Sequence, residues 1–111
     1  MSNEYKDWLA DTDAEIAYKM LHQELLTQQE ALHMARQEMS AEVFCVIENR
    51  IIKRNRDGEY RELIVELVHN KGTYFSLLYW EYEHEITVDE QYAEQVYPHE
   101  RIVEMKIVEW Y

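Results

Sequence analysis

Downstream of Glu42 the sequence switches from a helical to a two-residue repeat, and only two glycines, Gly58 and Gly72, interrupt it. The runs EVFCVIENRIIKR, EYRELIVELVH and TYFSLLYWEYE are dominated by β-branched and aromatic residues, and the short segments RDG and NKG separate them. Connections this short join antiparallel neighbours, because a parallel pair needs a crossover of a dozen or more residues. Each segment fits a three-residue hairpin loop whose closing glycine takes the left-handed position and forms a bulge. A fourth strand is expected from RIVEMKIVEWY at the end of the chain.

Those loops set a register. Asn55 is expected opposite Glu59 and His69 opposite Thr73, so that Ile47 meets Leu67, Ile51 meets Leu63, Val65 meets Leu77 and Arg61 meets Glu81. One face of the sheet then carries Val43, Cys45, Ile47, Ile51, Leu63, Val65, Leu67, Phe75, Leu77 and Tyr79, which is a core. The other carries Ile52, Tyr60, Ile64, Val68, Tyr74, Leu78, Trp80 and Tyr82 among Glu48, Glu62 and Glu66, a half-polar surface. The aromatic stretch YFSLLYWEYEHE is thereby divided, with Phe75 and Tyr79 inward and Tyr74, Trp80 and Tyr82 on the second face.

Residues 13–40 contain neither glycine nor proline and are rich in strong helix formers, and TDAE (Thr12 to Glu15) matches a capping box. Ala14, Tyr18, Leu21, Leu25, Gln28, Leu32, Ala35 and Met39 fall at alternating steps of four and three, a stripe able to cover the core face. TQQE (Thr27 to Glu30) is a second capping box and marks the alternative of two helices broken near Thr27. A separate first turn around Tyr5, Trp8 and Leu9 is expected to tuck its rings against the body. TVDEQYAEQ carries a third box, from Thr87 to Glu90, and predicts a short helix ending near Pro98. The expected fold is α+β: one domain over residues 1–111, with a long N-terminal helix packed on a four-stranded antiparallel sheet in the order α-β-β-β-α-β.

Charge narrows the partners. The chain has 23 acidic and 11 basic residues, a formal net charge of -12. Nucleic-acid binding depends on basic groups that displace counterions from phosphates, so direct DNA or RNA binding is not expected. Nor is a membrane: no uncharged apolar run approaches the roughly 20 residues that span a bilayer. A lone cysteine, Cys45, and an N-terminus without a basic start and apolar run point to a cytoplasmic setting.

The sign of the charge is also segregated. Arg50, Lys53, Arg54, Arg56 and Arg61 surround the first hairpin, where edge strands carry cations to discourage aggregation. No Lys or Arg occurs from Thr73 to Glu100, and that interval holds Glu81, Glu83, Glu85, Asp89, Glu90 and Glu94.

Catalytic signatures are missing. Two glycines cannot build a phosphate-cradling loop, and adjacent carboxylates such as Asp89 and Glu90 diverge by about 100° on a helix, so they do not form a proton-sharing pair. The histidines His22, His33, His69, His84 and His99 show no zinc spacing, and a grouping of His84, Asp89 and His99 in the last loop has no supporting pattern. A small-ligand pocket there would be lined by His84, Tyr92 and His99. No enzyme activity, cofactor or metal is expected.

Acidic side chains interleaved with Tyr and Trp suit a basic protein surface, since carboxylates can imitate a row of phosphates and aromatic rings anchor interfaces. The sequence thus points to a non-enzymatic, acidic protein-binding module. Tyr74, Trp80, Glu81, Tyr82, Glu83, Glu85, Asp89, Glu90 and Glu94 are its candidate contacts. The sharpest form is a nucleic-acid mimic that inhibits a nucleic-acid-processing protein, anti-CRISPR-like and of the kind phages use against host defences. The alternative is a homo-oligomer, such as a homodimer, that buries Tyr74, Trp80 and Tyr82 between copies.

Overall fold

The computed structural model describes the backbone of residues 2–83, 85–102 and 106–110, and the side chains of residues 12–83, 85–98 and Trp110. Two helices, α1 (Ser2–Leu21) and α2 (Gln28–Ala35), precede the strands β1 (Phe44–Arg54), β2 (Glu59–Leu67), β3 (Tyr74–Tyr82), β4 (Glu85–Thr87), β5 (Glu94–Val96), β6 (Pro98–Ile102) and β7 (Lys106–Trp110). The fold is α+β, with an antiparallel sheet in the order β1-β2-β3-β4, β5 also pairing with β3, and a separate β6-β7 hairpin.

The expected continuous helix over 13–40 is broken after Leu21. Gln23 is left-handed (φ 57°), Glu24 N–H donates to Lys19 O at 2.8 Å and Gln23 N–H to Met20 O at 3.2 Å, which is the bonding of a Schellman stop. The end of α2 repeats it, with Gln37 at φ 56°, Glu38 N–H on His33 O and Gln37 N–H on Met34 O. Between the stops, the Thr27 box forms as its sequence suggests: Glu30 N–H donates to Thr27 Oγ1 at 3.1 Å and Thr27 N–H to Glu30 Oε1 at 2.8 Å. Thr12 lies inside α1, so its box starts no helix.

Breaking the helix resets its phase, and the predicted stripe fails in α1. Tyr18, Leu21 and Leu25 are exposed, while Asp13, Ile16 and Met20 are buried with Ala31, Met34 and Ala35 of α2. The side chains of Tyr5, Trp8 and Leu9 lie outside the described residues.

The inward set of β2 and β3 is as the alternation requires, with Leu63, Val65, Leu67, Phe75, Leu77 and Tyr79 all buried under the helices. Their register differs from expectation by two residues, which leaves the faces unchanged: Val65 meets Phe75 and Leu63 meets Leu77. The cause is a longer loop, since Leu67 N–H donates to Thr73 O and five residues lie between them.

In β1 the expected faces hold only in part. Arg54 meets Glu59, and two register shifts, between Val46 and Glu48 and between Ile51 and Lys53, each insert one extra residue. Phe44 therefore enters the core and Cys45 turns outward, and Ile47 stands exposed at the first shift; Ile51, opposite Arg61, keeps the expected face but is exposed, and Val43 packs partly buried against the core.

The two glycines serve different needs. Gly72 is left-handed (φ 90°), as its hairpin demands. Gly58 is not, and it is required by close approach instead: a Cβ there would lie 2.4 Å from Glu81 O and 2.7 Å from Tyr82 Cδ1. Gly58→Ala is expected to cost about 1–3 kcal/mol by pushing the first hairpin off β3. A urea melt checks it, and an unchanged midpoint would show that the hairpin does not sit this close.

No helix forms between Thr87 and Gln95. Thr87 pairs with Trp80 and Glu94–Val96 with Tyr74–Ser76, so the segment lies along the outer edge of β3, with Val88 and Ala93 tucked into the core. Backbone bonding to an open sheet edge outweighs a short, weakly nucleated helix. The expected last strand is likewise divided: Arg101 and Ile102 belong to β6, and Lys106–Trp110 forms β7.

Candidate functional site

Alternation along β3 sends Ser76, Leu78, Trp80 and Tyr82 to the face opposite the helices. Tyr60 stands directly across from Trp80, their ring centroids 4.9 Å apart, and Trp80 stacks on Tyr82 at 5.6 Å with 14° between planes. The result is a half-buried ladder of three rings held by two paired strands. Sheet pairing fixes the backbone beneath each ring, so little conformational freedom remains to be lost on contact with a partner.

Carboxylates surround this ladder. Tyr82 pairs with Glu85 across a tight turn that holds Glu83 left-handed (φ 51°), and Glu83, Glu85, Asp89 and Glu90 are all exposed. Burial raises the Tyr60 phenol above its ordinary pKa, and Glu90, Asp89 and Glu62 raise it further, which places all three acids within the electrostatic reach of the ring. A cleft of about 590 Å³ opens beside the ladder, lined by Arg56, Asp57, Tyr82, Glu83 and Glu85.

Three of the nine predicted contacts sit apart from this centre. Glu81 points to the helix-covered face, where Arg61 Nε approaches its Oε2 at 3.0 Å; the expected cross-strand pairing of these two is replaced by this diagonal contact. Tyr74 stands at the far end of β3 against Trp110, with centroids 5.0 Å apart. Glu94, exposed opposite Ser76, is six residues along the strand from Tyr82, roughly 20 Å. Conversely Tyr60, read from the sequence only as a second-face residue, joins the ring ladder.

The basic cluster is largely neutralised within the fold. Arg50 binds Glu62 at 2.6 Å, Arg54 binds Glu59 at 2.7 Å, and Arg61 reaches Glu59 and Glu81, both at 3.0 Å. Those two arginines hold the Glu59 carboxyl below the usual carboxylate range. Glu62 is itself buried and also accepts from Ser76 Oγ at 2.6 Å, which leaves Lys53 and Arg56 without an ion pair among the described residues.

A second polar centre has no sequence signature. Asp13 of α1 is fully buried and accepts from His33 Nε2 of α2 at 2.8 Å and from Ser40 N–H at 2.7 Å. Lys19 and Glu30 add a second link between the helices at 2.7 Å. Burial pushes the Glu30 carboxyl up, but its bonds from Lys19 and Thr27 outweigh this and hold it low. A cleft of about 670 Å³ lined by Thr12, Glu15, Thr27, Glu30, His33, Arg36 and others lies beside these pairs. Both carboxylates are engaged in joining α1 to α2.

His84 and His99 have side chains outside the described residues, so a loop site built on them with Tyr92 falls there too. Among the described residues no three His, Cys, Asp or Glu side chains gather as metal ligands, and no helix is long and apolar enough to cross a membrane. No protein-family model, no curated protein and no solved structure matches the chain.

Proposed function

We propose that this protein is a non-enzymatic binding module that occupies the basic surface of a nucleic-acid-binding or nucleic-acid-processing protein. The supporting observation is the ring ladder Tyr60–Trp80–Tyr82 beside exposed Glu83, Glu85, Asp89 and Glu90, on a chain in which Arg50, Arg54 and Arg61 of the basic first hairpin are paired internally. Carboxylates supply the long-range attraction and spacing of phosphates, and the rings supply desolvated contact area at the centre. A role as a phage-type inhibitor, acting as a nucleic-acid mimic, is the most specific form of this reading.

Affinity capture from a lysate, with bound proteins identified by mass spectrometry, is the first test. The captured protein should be basic, and its affinity should fall steeply with salt as the screening length shrinks from about 10 Å at 0.1 M to about 3 Å at 1 M. Reversing three charges together (Glu83→Lys, Glu85→Lys, Asp89→Lys) is expected to weaken the complex on the order of 10-fold or more. Equal recovery with the triple variant would reject this surface as the contact.

A further inference from the structure

β1 is the outer strand of the sheet, hydrogen-bonded to β2 alone among the described strands, and at 11 residues it is about twice the usual length. Four apolar side chains stand exposed along it: Val46 at 41%, Ile47 at 41%, Ile51 at 39% and Ile52 at 48%. An open edge bearing large apolar groups is a template for another strand.

The segment Val46-Ile47-Glu48-Asn49-Arg50-Ile51-Ile52 has the same order of chemical classes in either direction about Asn49, except that its two charges have opposite sign. An antiparallel copy related by a two-fold axis through Asn49 therefore sets Glu48 against Arg50, Ile47 against Ile51 and Val46 against Ile52, each pair occurring twice. Within Val46–Ile52 each exposed apolar residue finds another and each charge its opposite, while Lys53 and Arg54 fall beyond this segment, opposite Cys45 and Phe44. Sliding by one residue pairs isoleucine with Glu48 or Arg50; a two-residue change in pairing sum sets Glu48 against Glu48 or Arg50 against Arg50. The pattern selects one register.

We infer that the protein forms a homodimer through antiparallel pairing of two β1 edges centred on Asn49, joining two five-stranded sheets into one. The charged pair is already positioned: Glu48 Oε2 accepts from Trp110 Nε1 at 2.8 Å, and Arg50 Nε and Nη2 bind Glu62. Glu48 Oε1 and Arg50 Nη1 have no bond among the described residues and are available to the second copy. Along β1 Arg50, Lys53 and Arg54 outnumber Glu48, so the strand itself adds no negative charge to the repulsion between two chains of net charge -12.

Edge-protecting features limit this pairing without preventing it. The bulged residues Ile47 and Ile52 bound a regular stretch, Glu48–Ile51, that straddles the axis, and Lys53 with Arg54 closes one end. Pairing is confined to a short, defined register.

The inference stands apart from the acidic surface, which lies across the sheet on β3 and β4, and the two are tested independently. Sedimentation over a range of concentrations should show a mass rising from 13.6 kDa to twice that value. Ile47→Lys with Ile51→Lys, both at exposed positions, should keep the chain monomeric throughout with an unchanged circular dichroism spectrum. Register is read by cross-linking: in a Cys45→Ser background, Ile47→Cys plus Ile51→Cys should oxidise to a covalent dimer, and neither cysteine alone should. A wild-type chain that stays monomeric at high concentration overturns the proposal. So does a dimer that survives both lysines, because it would use another surface.

Discussion

Asp13→Ala is expected to lower the unfolding free energy by about 3–5 kcal/mol, a large part of the 5–15 kcal/mol that holds a typical domain together. Asp13 is fully buried, and its two oxygens serve different partners, Oδ1 the His33 ring and Oδ2 the Ser40 backbone. Alanine removes both acceptors at once. The imidazole, itself 7% exposed, then loses the carboxylate, and a backbone N–H at the entry to the sheet loses its acceptor. Truncation of one member of a buried pair is costly because the survivor keeps its desolvation penalty.

Asp13→Asn separates the two contributions, since its one amide oxygen can replace only one of the two carboxylate oxygens that serve His33 and Ser40, and an NH2 group stands in place of the other. An intermediate loss of about 1–3 kcal/mol is expected. Urea melts of both variants check the order. Wild-type stability in Asp13→Ala would mean that α1 and α2 are not joined through this carboxylate.

The same residue shows why the helical part was only partly legible. Periodicity scores apolar residues, so Asp13 and His33, polar and buried, count as outward positions, and the stripe through Tyr18, Leu21 and Leu25 takes their place. The break after Leu21 is hidden for a related reason. Helix stops are usually recognised by glycine, but both glycines here lie in hairpins, and Gln23 and Gln37 take the left-handed positions at a steric cost that tertiary contacts must offset. Only the Thr27 box left a readable mark.

In β2 and β3 the two-residue repeat determined the faces correctly even with the register displaced by two, because an even displacement returns each side chain to its side. β1 shows the converse. The first bulge adds one residue unannounced by glycine, so alternation sends Cys45 inward and Phe44 outward, the reverse of what the fold does; Ile51, opposite Arg61, keeps its expected face and is exposed because nothing among the described residues covers it there. The candidate surface inherits both outcomes. Trp80, Tyr82, Glu83 and Glu85 follow from strand alternation and a tight turn. The positions of Asp89, Glu90 and Glu94 depend on how the segment after β4 lies along β3, and capping-box grammar misread that segment as helix.

Because β3 carries core on one side and the proposed contact surface on the other, stability and binding should separate within a single strand. Phe75 is 2% exposed and pairs with Val65, so Phe75→Ala leaves a cavity under the helices and is expected to cost about 3–5 kcal/mol. Trp80 lies five residues further on, half-buried between Tyr60 and Tyr82, so Trp80→Ala removes a ring that the scaffold already holds in place. Its larger effect is expected on affinity for the captured basic partner: about 2 kcal/mol, or roughly 30-fold, as for a central aromatic anchor. Measured at a temperature where both variants remain folded, Phe75→Ala should bind as the wild type does and Trp80→Ala should not. Binding unchanged by Trp80→Ala would remove the rings from the interface and leave the carboxylates as a solvated edge. Binding abolished by Phe75→Ala in a folded sample would place the contact on the helix-covered side instead, because only that side is remodelled by the cavity.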